Sequence, residues 1–220
     1  MCASDPIRFA RPGGLALTER ALSLCAFAAG ARVVDVGCGS GESVRHMRCE
    51  HGLEAVGVDA DATRVAAAAS GGADESFLLA DARRLPFSDG SRDGIFFECS
   101  LSKMDAPQAV LAEAFRVLRP GGALVVNDFC RAGEALRLSG VLGWMEARDA
   151  WIDRIRRAGF AIRVVEDWSD ALRALWGQMI LDHGLEGIRS HPDFDARALC
   201  GGGCGYFLAI AGKPEGVPPR

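Results

Sequence analysis

Val33-Val34-Asp35-Val36-Gly37-Cys38-Gly39-Ser40-Gly41 decides the fold. Val33, Val34 and Val36 are β-branched and follow no helical spacing, so they read as a short buried strand of a parallel sheet. Gly37, Gly39 and Gly41 then allow a tight turn and leave main-chain atoms open to a ligand that a Cβ would hold away. Ser40 or Ser43 is the expected cap of the next helix, whose N-terminal amides suit an anion such as a carboxylate. A strand-to-helix turn with no ligand makes the same local demands, so the loop does not settle function alone.

A second strand, Ala55 to Ala60, ends at Asp59, near the spacing at which nucleotide-binding sheets place a ribose-binding carboxylate. A dinucleotide fingerprint needs G-x-G-x-x-G to seat a pyrophosphate, whereas this chain has G-x-G-x-G. That spacing disfavours a nicotinamide-linked oxidoreductase. Asp35-Val36-Gly37-Cys38-Gly39-Ser40-Gly41 instead resembles the first motif of class I S-adenosylmethionine-dependent methyltransferases.

The resemblance implies that Asp35 orients the glycine loop and the methionine end of the cofactor, and that Asp59 takes the ribose hydroxyls. It assigns Asp81 to the exocyclic amine of adenine and the Ala82 amide to a ring nitrogen. The implied cofactor-binding set is Asp35, Gly37, Cys38, Gly39, Gly41, Asp59, Ala60, Asp81, Ala82 and Cys99. For Asp81, capping of a local turn stands beside this role. The fold implied is α/β, a Rossmann-like three-layer sandwich with a seven-stranded, mostly parallel sheet and an antiparallel last strand.

The chain has 220 residues, 49% of them hydrophobic and 25% charged, enough to bury one substantial core, so residues 1–220 are expected to form a single domain. A formal net charge of -4 and a pI near 5.6 argue against general affinity for nucleic acid or an anionic membrane. Nothing resembles a signal peptide, and no apolar run reaches spanning length, since Glu19 and Arg20 interrupt the patch around Leu15 to Ala29. The eight cysteines are therefore read as thiols of a reducing cytoplasm.

Residues 1–14, with Pro6, Pro12, Gly13 and Gly14, read as a flexible arm. Arg11-Pro12-Gly13-Gly14 resembles the opening of bacterial class I enzymes in which this segment lies over the cofactor; a disordered leader is the alternative. Leu17, Ala21, Leu24 and Ala28 recur at helical spacing up to a stop at Gly30. Helices follow over 43–50 and 61–70, then a strand over 77–80.

Leu85-Pro86-Phe87-Ser88-Asp89-Gly90-Ser91-Arg92-Asp93 resembles a further family stretch, with Arg92 where an aromatic is usual. It leads into a strand over 95–99, and a helix over 106–118 ends at Leu118-Arg119-Pro120-Gly121-Gly122 before a strand over 123–129. Arg116-Val117-Leu118-Arg119-Pro120-Gly121-Gly122 is a specific match to small-molecule members. A helix over 149–158, a strand over 161–168, a helix over 170–181 and a strand over 206–211 complete the chain. Residues 130–146 and 184–203 lose regularity and are candidate substrate-lid insertions by fold analogy.

Methyl transfer from a sulfonium is an in-line displacement that depends mainly on alignment in a dry site, and a base is needed only when the acceptor must lose a proton. No catalytic residue is assigned. Glu98-Cys99-Ser100-Leu101-Ser102 stands where amino-methylating enzymes of nucleic acid and protein glutamine carry Asn/Asp-Pro-Pro-aromatic, and it lacks the Pro-Cys pair of cytosine-C5 enzymes. Cys99 is thus expected to line the pocket rather than act as a covalent nucleophile.

A partial resemblance to arsenite methyltransferases puts Cys99 near one thiol position, with Val44 and Val141 near two others. Cys200 and Cys204, with Cys49 or Cys130, are possible replacements for a soft ion, but an ordinary glycine-rich approach to the last strand is favoured and no metal is expected. His46 and His51 are expected at the surface, and His183 and His191 are candidate bases or substrate contacts. Trp144, Trp151, Trp168 and Trp176 could build an acceptor pocket, though Trp176 with Leu172, Leu175 and Met179 fits a helix core. The expected function is methyl transfer to a small molecule; a silent cofactor-binding sensor or scaffold is the alternative from another class.

Overall fold

A computed structural model describes residues 11–70, 76–138, 140, 142–190 and 203–216. Cys2, most of the arm, the glycines at 71 and 72, Val141, His191 and Cys200 lie outside the described residues.

Nine strands and six α-helices make up the described fold. In chain order they are α1 (Gly14–Cys25), β1 (Arg32–Val36), α2 (Glu42–His51), β2 (Glu54–Asp59), α3 (Ala62–Ala69), β3 (Phe77–Leu79), β4 (Arg92–Glu98) and α4 (Pro107–Val117). Then come β5 (Leu118–Arg131), β6 (Leu136–Arg137), β7 (Trp144–Met145), α5 (Arg148–Arg157), β8 (Ala161–Asp167), α6 (Ser169–Arg189) and β9 (Cys204–Gly212). Seven strands form one sheet in the order β3-β2-β1-β4-β5-β9-β8. β1 pairs in parallel with β2 and β4, and β9 runs antiparallel between β5 and β8, as expected.

Alternation along the strands splits the apolar residues between two faces. Val33, Phe96, Val125 and Tyr206 join a core with α1, α2 and α6, whereas Val34, Ile95, Val126 and Phe207 join one with α4 and α5. Helices on both faces of a sheet whose central strands are apolar on both sides give the three-layer sandwich.

Several boundaries differ for identifiable reasons. α1 ends at Cys25, where Ala26 takes the left-handed conformation (φ 50°) and donates to the Leu22 carbonyl, so the stop comes before Gly30. Neither Ser40 nor Ser43 caps α2; Gly41 holds that position at φ 75° with no side-chain bond. Asp61 does cap α3, accepting from the Thr63 and Arg64 amides. Arg119-Pro120-Gly121-Gly122 ends α4 but belongs to β5, because Leu118 already pairs with Arg92 across a register shift. Arg92 replaces the usual aromatic by lying over the Phe87 ring, 4.1 Å from its centroid.

Within 130–146, where the sequence pattern loses regularity, the described residues include regular structure. β6 and β7 form a two-stranded antiparallel ribbon, and Leu138, Leu142 and Met145 are buried. At Gly143 (φ 63°) an added Cβ would come within 2.5 Å of the Ser102 carbonyl oxygen, so the ribbon sits directly on the segment after β4. α6 likewise runs past Leu181 into the second stretch, broken at Gly184 (φ 71°, ψ 156°) and anchored again by buried Ile188.

Candidate functional site

β1 delivers the glycine loop to the C-terminal edge of the sheet. The amides of Gly37 and Cys38 both donate to the Val58 carbonyl, at 2.7 and 3.1 Å, and the Gly41 amide donates to the Cys38 carbonyl at 2.9 Å. These bonds hold the loop against the end of β2. An added Cβ at Gly37 would lie 2.6 Å from Ser100 Cβ, and one at Gly41 would run into the Phe77 ring. An added Cβ at Gly39 would meet nothing within 4 Å, although its φ of 54° is unusual for any other residue. Two of the glycines are needed for packing, and the middle one opens onto free space.

Asp59 ties this loop to β2. Its Oδ2 accepts from the Gly39 amide and its Oδ1 from the Asp61 amide, each at 3.0 Å. A carboxylate has about four acceptor sites, so two of them remain for hydroxyl groups. Beside it lies a cavity of about 280 Å³ between the ends of β1, β2 and β4. The cavity gathers Gly37, Asp59, Ala60, Asp81, Ala82 and Cys99. Asp35, Cys38, Gly39 and Gly41, expected with them, are not among its lining residues.

Asp81 makes a local turn as well as facing the cavity. Its Oδ1 accepts from the Arg83 amide at 2.8 Å, and the Arg83 guanidinium clasps both oxygens. Hydrogen bonds from Arg83 pull its pKa down to about 2. The capping alternative raised for Asp81 is therefore present in the described structure, with the carboxylate half-exposed.

Beneath the loop lies a buried polar network that sequence reasoning did not assemble. Arg11 pairs with Glu98 and donates to Thr18 Oγ1 at 2.9 Å; Thr18 donates to Glu98 Oε1 at 3.0 Å. Asn127 Nδ2 also donates to Glu98 Oε1, at 3.2 Å, and the Tyr206 hydroxyl donates to Asn127 Oδ1 at 2.8 Å. Asp35, 3% exposed, has one carboxylate oxygen with no hydrogen-bond partner. Burial pushes its carboxyl well up, Glu98 adds to the push, and Arg11 opposes it. The sequence offers only an acidic residue, Glu98, closing the apolar run Ile95-Phe96-Phe97, with no local mark of its partner in the arm. From Arg11 to Gly14 that arm is an ordered turn leading into α1.

Cys99 follows Glu98 with a left-handed backbone (φ 55°), and its amide donates to the Asn127 carbonyl at 2.8 Å. Burial raises its thiol to about 11, so it faces the cavity protonated. Cys25 and Cys38 are raised to about 12 and Cys130 to about 11, in each case chiefly by burial. Among the described residues no three thiols come within metal-binding reach of one another. The described structure therefore does not assemble the thiolate set that an arsenite-type site needs.

The other candidates separate. Trp151 is fully buried beneath the sheet, and Trp176 packs against the core with Leu172 and Met179. Trp168 donates to Glu166 at 3.1 Å. His183 is half-buried on α6. His46 and His51, expected as plain surface residues, both turn onto Glu19. Arg64, Arg83, Lys103 and Met104 line the cavity without having been singled out from the sequence.

Residues 34–126 match the methyltransferase domain family model. The methyltransferase GfsG of Streptomyces halstedii is 34% identical over 96% of this chain and 83% of its own length. An O-methyltransferase of Aspergillus sclerotiorum, resE, is 37% identical over 46% of this chain, which spans only 41% of that relative. Among solved structures, the cyclase SpnF aligns with a TM-score of 0.75 and 25% identity over 91% of this chain and 82% of its own. No helix among the described residues is long and apolar enough to cross a membrane.

Proposed function

Because the chain belongs to the class I S-adenosylmethionine-dependent methyltransferases, we propose that the cavity beside the glycine loop seats S-adenosylmethionine and that this protein methylates a small molecule. The observation that carries the assignment is the open space at Gly39 beside a carboxylate, Asp59, that holds the Gly39 amide and keeps free acceptor sites. The unpartnered oxygen of buried Asp35 supports the same reading, since a cationic group at the methionine end of the ligand would satisfy it.

Bound there, S-adenosylmethionine supplies an electrophilic methyl group for in-line displacement. The chain's part is to hold and to shield. Asp59 and Ala60 receive the ribose, while Asp81, released in part from Arg83, and the Ala82 amide receive the adenine. Gly37 and Gly39 admit the methionine backbone. Cys99 and Met104 line the space beside the reacting atoms. Keeping Cys99 as a thiol makes it a wall rather than a competing nucleophile. The ribbon of β6 and β7, seated on Ser102, covers the acceptor side and excludes water.

The acceptor is a small molecule in this reading, and the negative net charge supports neither nucleic acid nor an anionic membrane as partner. The thiols of Cys25, Cys38, Cys49, Cys99 and Cys130 form no disulfide, in keeping with a reducing cytoplasm in this reading. Titration with S-adenosylmethionine and, separately, NAD(P) tests the cofactor, and release of S-adenosylhomocysteine across an acceptor panel tests transfer. A structural neighbour named as a cyclase rather than a methyltransferase keeps one second reading in view, a silent cofactor-binding sensor or scaffold. Tight binding with no S-adenosylhomocysteine on any acceptor would select it.

A further inference from the structure

On the outer side of the first two helices, Glu19 of α1 and His46 and His51 of α2 form a cluster that shares no residue with the lining of the cofactor cavity. Both imidazole Nε2 atoms are directed at the same oxygen, Glu19 Oε1, that of His51 at 2.7 Å. The rings meet edge to face with centroids 5.5 Å apart, and the three donor atoms lie within 4.8 Å of one another. His46 and His51 are five positions apart, a spacing that does not place side chains on one helix face. They meet because His51 is the last residue of α2, before Gly52 turns at φ 61°, and because Glu19 of the neighbouring helix stands between them.

Two imidazoles and one carboxylate form a three-donor set suited to Zn²⁺, with a fourth position for water. Metal–ligand bonds of about 2.0–2.2 Å require donors about 3.3 Å apart, within reach of small side-chain rotations from the observed cluster. Space for the fourth ligand is present: a second cavity of about 150 Å³ is lined by Glu19, Ser23 and His51. We propose that Glu19, His46 and His51 bind Zn²⁺, which fastens α1 to α2. Each imidazole then offers the Nε2 lone pair and carries its proton on Nδ1. The site is independent of the methyl-transfer reading and stands or falls without it.

Metal-stripped full-length protein is titrated with Zn²⁺ by calorimetry, beside Glu19→Gln and His46→Ala/His51→Asn, with folding of each verified by circular dichroism. The expected result is about one equivalent bound by the parent, at least about tenfold weaker binding in both variants, and a Zn²⁺-induced rise in Tm that the variants lose. Substitution with Co²⁺ separates this site from the cysteines: tetrahedral visible bands without a thiolate charge-transfer band are expected. Unchanged Zn²⁺ affinity in the double variant, a cobalt–thiolate band, or no binding by the parent would overturn the proposal.

Discussion

Arg11 and Glu98 form an ion pair in the interior, with side chains 13% and 3% exposed, that joins the start of α1 to the end of β4. The pair sits one residue before the left-handed turn at Cys99, so the segment entering α1 and the floor of the cavity share one buried charge network. Removing one member of such a pair leaves the other charged and desolvated. Arg11→Met should therefore destabilise the protein by about 3 kcal/mol in chemical denaturation. Adding Glu98→Gln should restore part of the loss. A cost below about 1 kcal/mol for Arg11→Met would show that the pair is not held dry.

The glycine loop separates packing from binding. Gly39→Ala should fold, losing about 1 kcal/mol from the left-handed backbone, while its affinity for S-adenosylmethionine falls at least about a hundredfold in calorimetry. Gly41→Ala should instead fail to accumulate as folded protein, since its Cβ meets Phe77. Retained affinity in Gly39→Ala would place the ligand elsewhere.

Asp59→Ala removes the acceptor for two backbone amides and for the ribose. Charge-assisted bonds of this kind contribute about 1.5–3 kcal/mol, so the Kd for S-adenosylmethionine should rise roughly tenfold to a hundredfold. Asp81→Ala should weaken it less, because Asp81 must first be drawn from Arg83. The reverse order of effects would count against the assigned roles.

Asp35 gives a pH signature. Its folded pKa is raised, chiefly by burial, so the native chain keeps a proton that the unfolded chain releases above about pH 4. This group's stability contribution is full below that pH and declines as pH rises toward the raised folded value. Asp35→Asn escapes the decline, so its stability relative to the parent should grow from about pH 4 upward in urea melts, while its affinity for S-adenosylmethionine drops. A constant difference across the window would contradict the raised pKa.

Cys99→Ala should keep methyl transfer within about twofold, because the parent residue is a neutral thiol lining the cavity. Alkylation of Cys99 should be slow at neutral pH and accelerate only as pH approaches about 11. Complete loss of turnover in Cys99→Ala would restore a covalent role.

The order of elements was legible because strands of a buried parallel sheet are written as short, mainly apolar runs closed by glycine or aspartate, as at Val33 to Gly41 and Ala55 to Asp59. What escaped was set by contacts distant in sequence. The Arg11–Glu98 pair spans most of the sheet-forming half, and neither residue alone signals it. The cap of α2 was misplaced because a glycine at φ 75° leaves no room for the serine geometry that local preference suggests. The ribbon within 130–146 is short, and its burial comes from Leu138 and Met145 meeting the core rather than from any period of their own. Cys99 at positive φ carries no sequence mark; the structure shows that conformation together with a bond from its amide to the Asn127 carbonyl, a partner distant in sequence.

A crystal structure with S-adenosylhomocysteine bound bears most directly on the cavity. It should show ribose hydroxyls on Asp59, adenine between Asp81 and Ala82, and the amino acid end passing Gly37 and Gly39 toward Asp35. Density for the ligand on any other face of the sheet, or none at saturating concentration, would contradict the account.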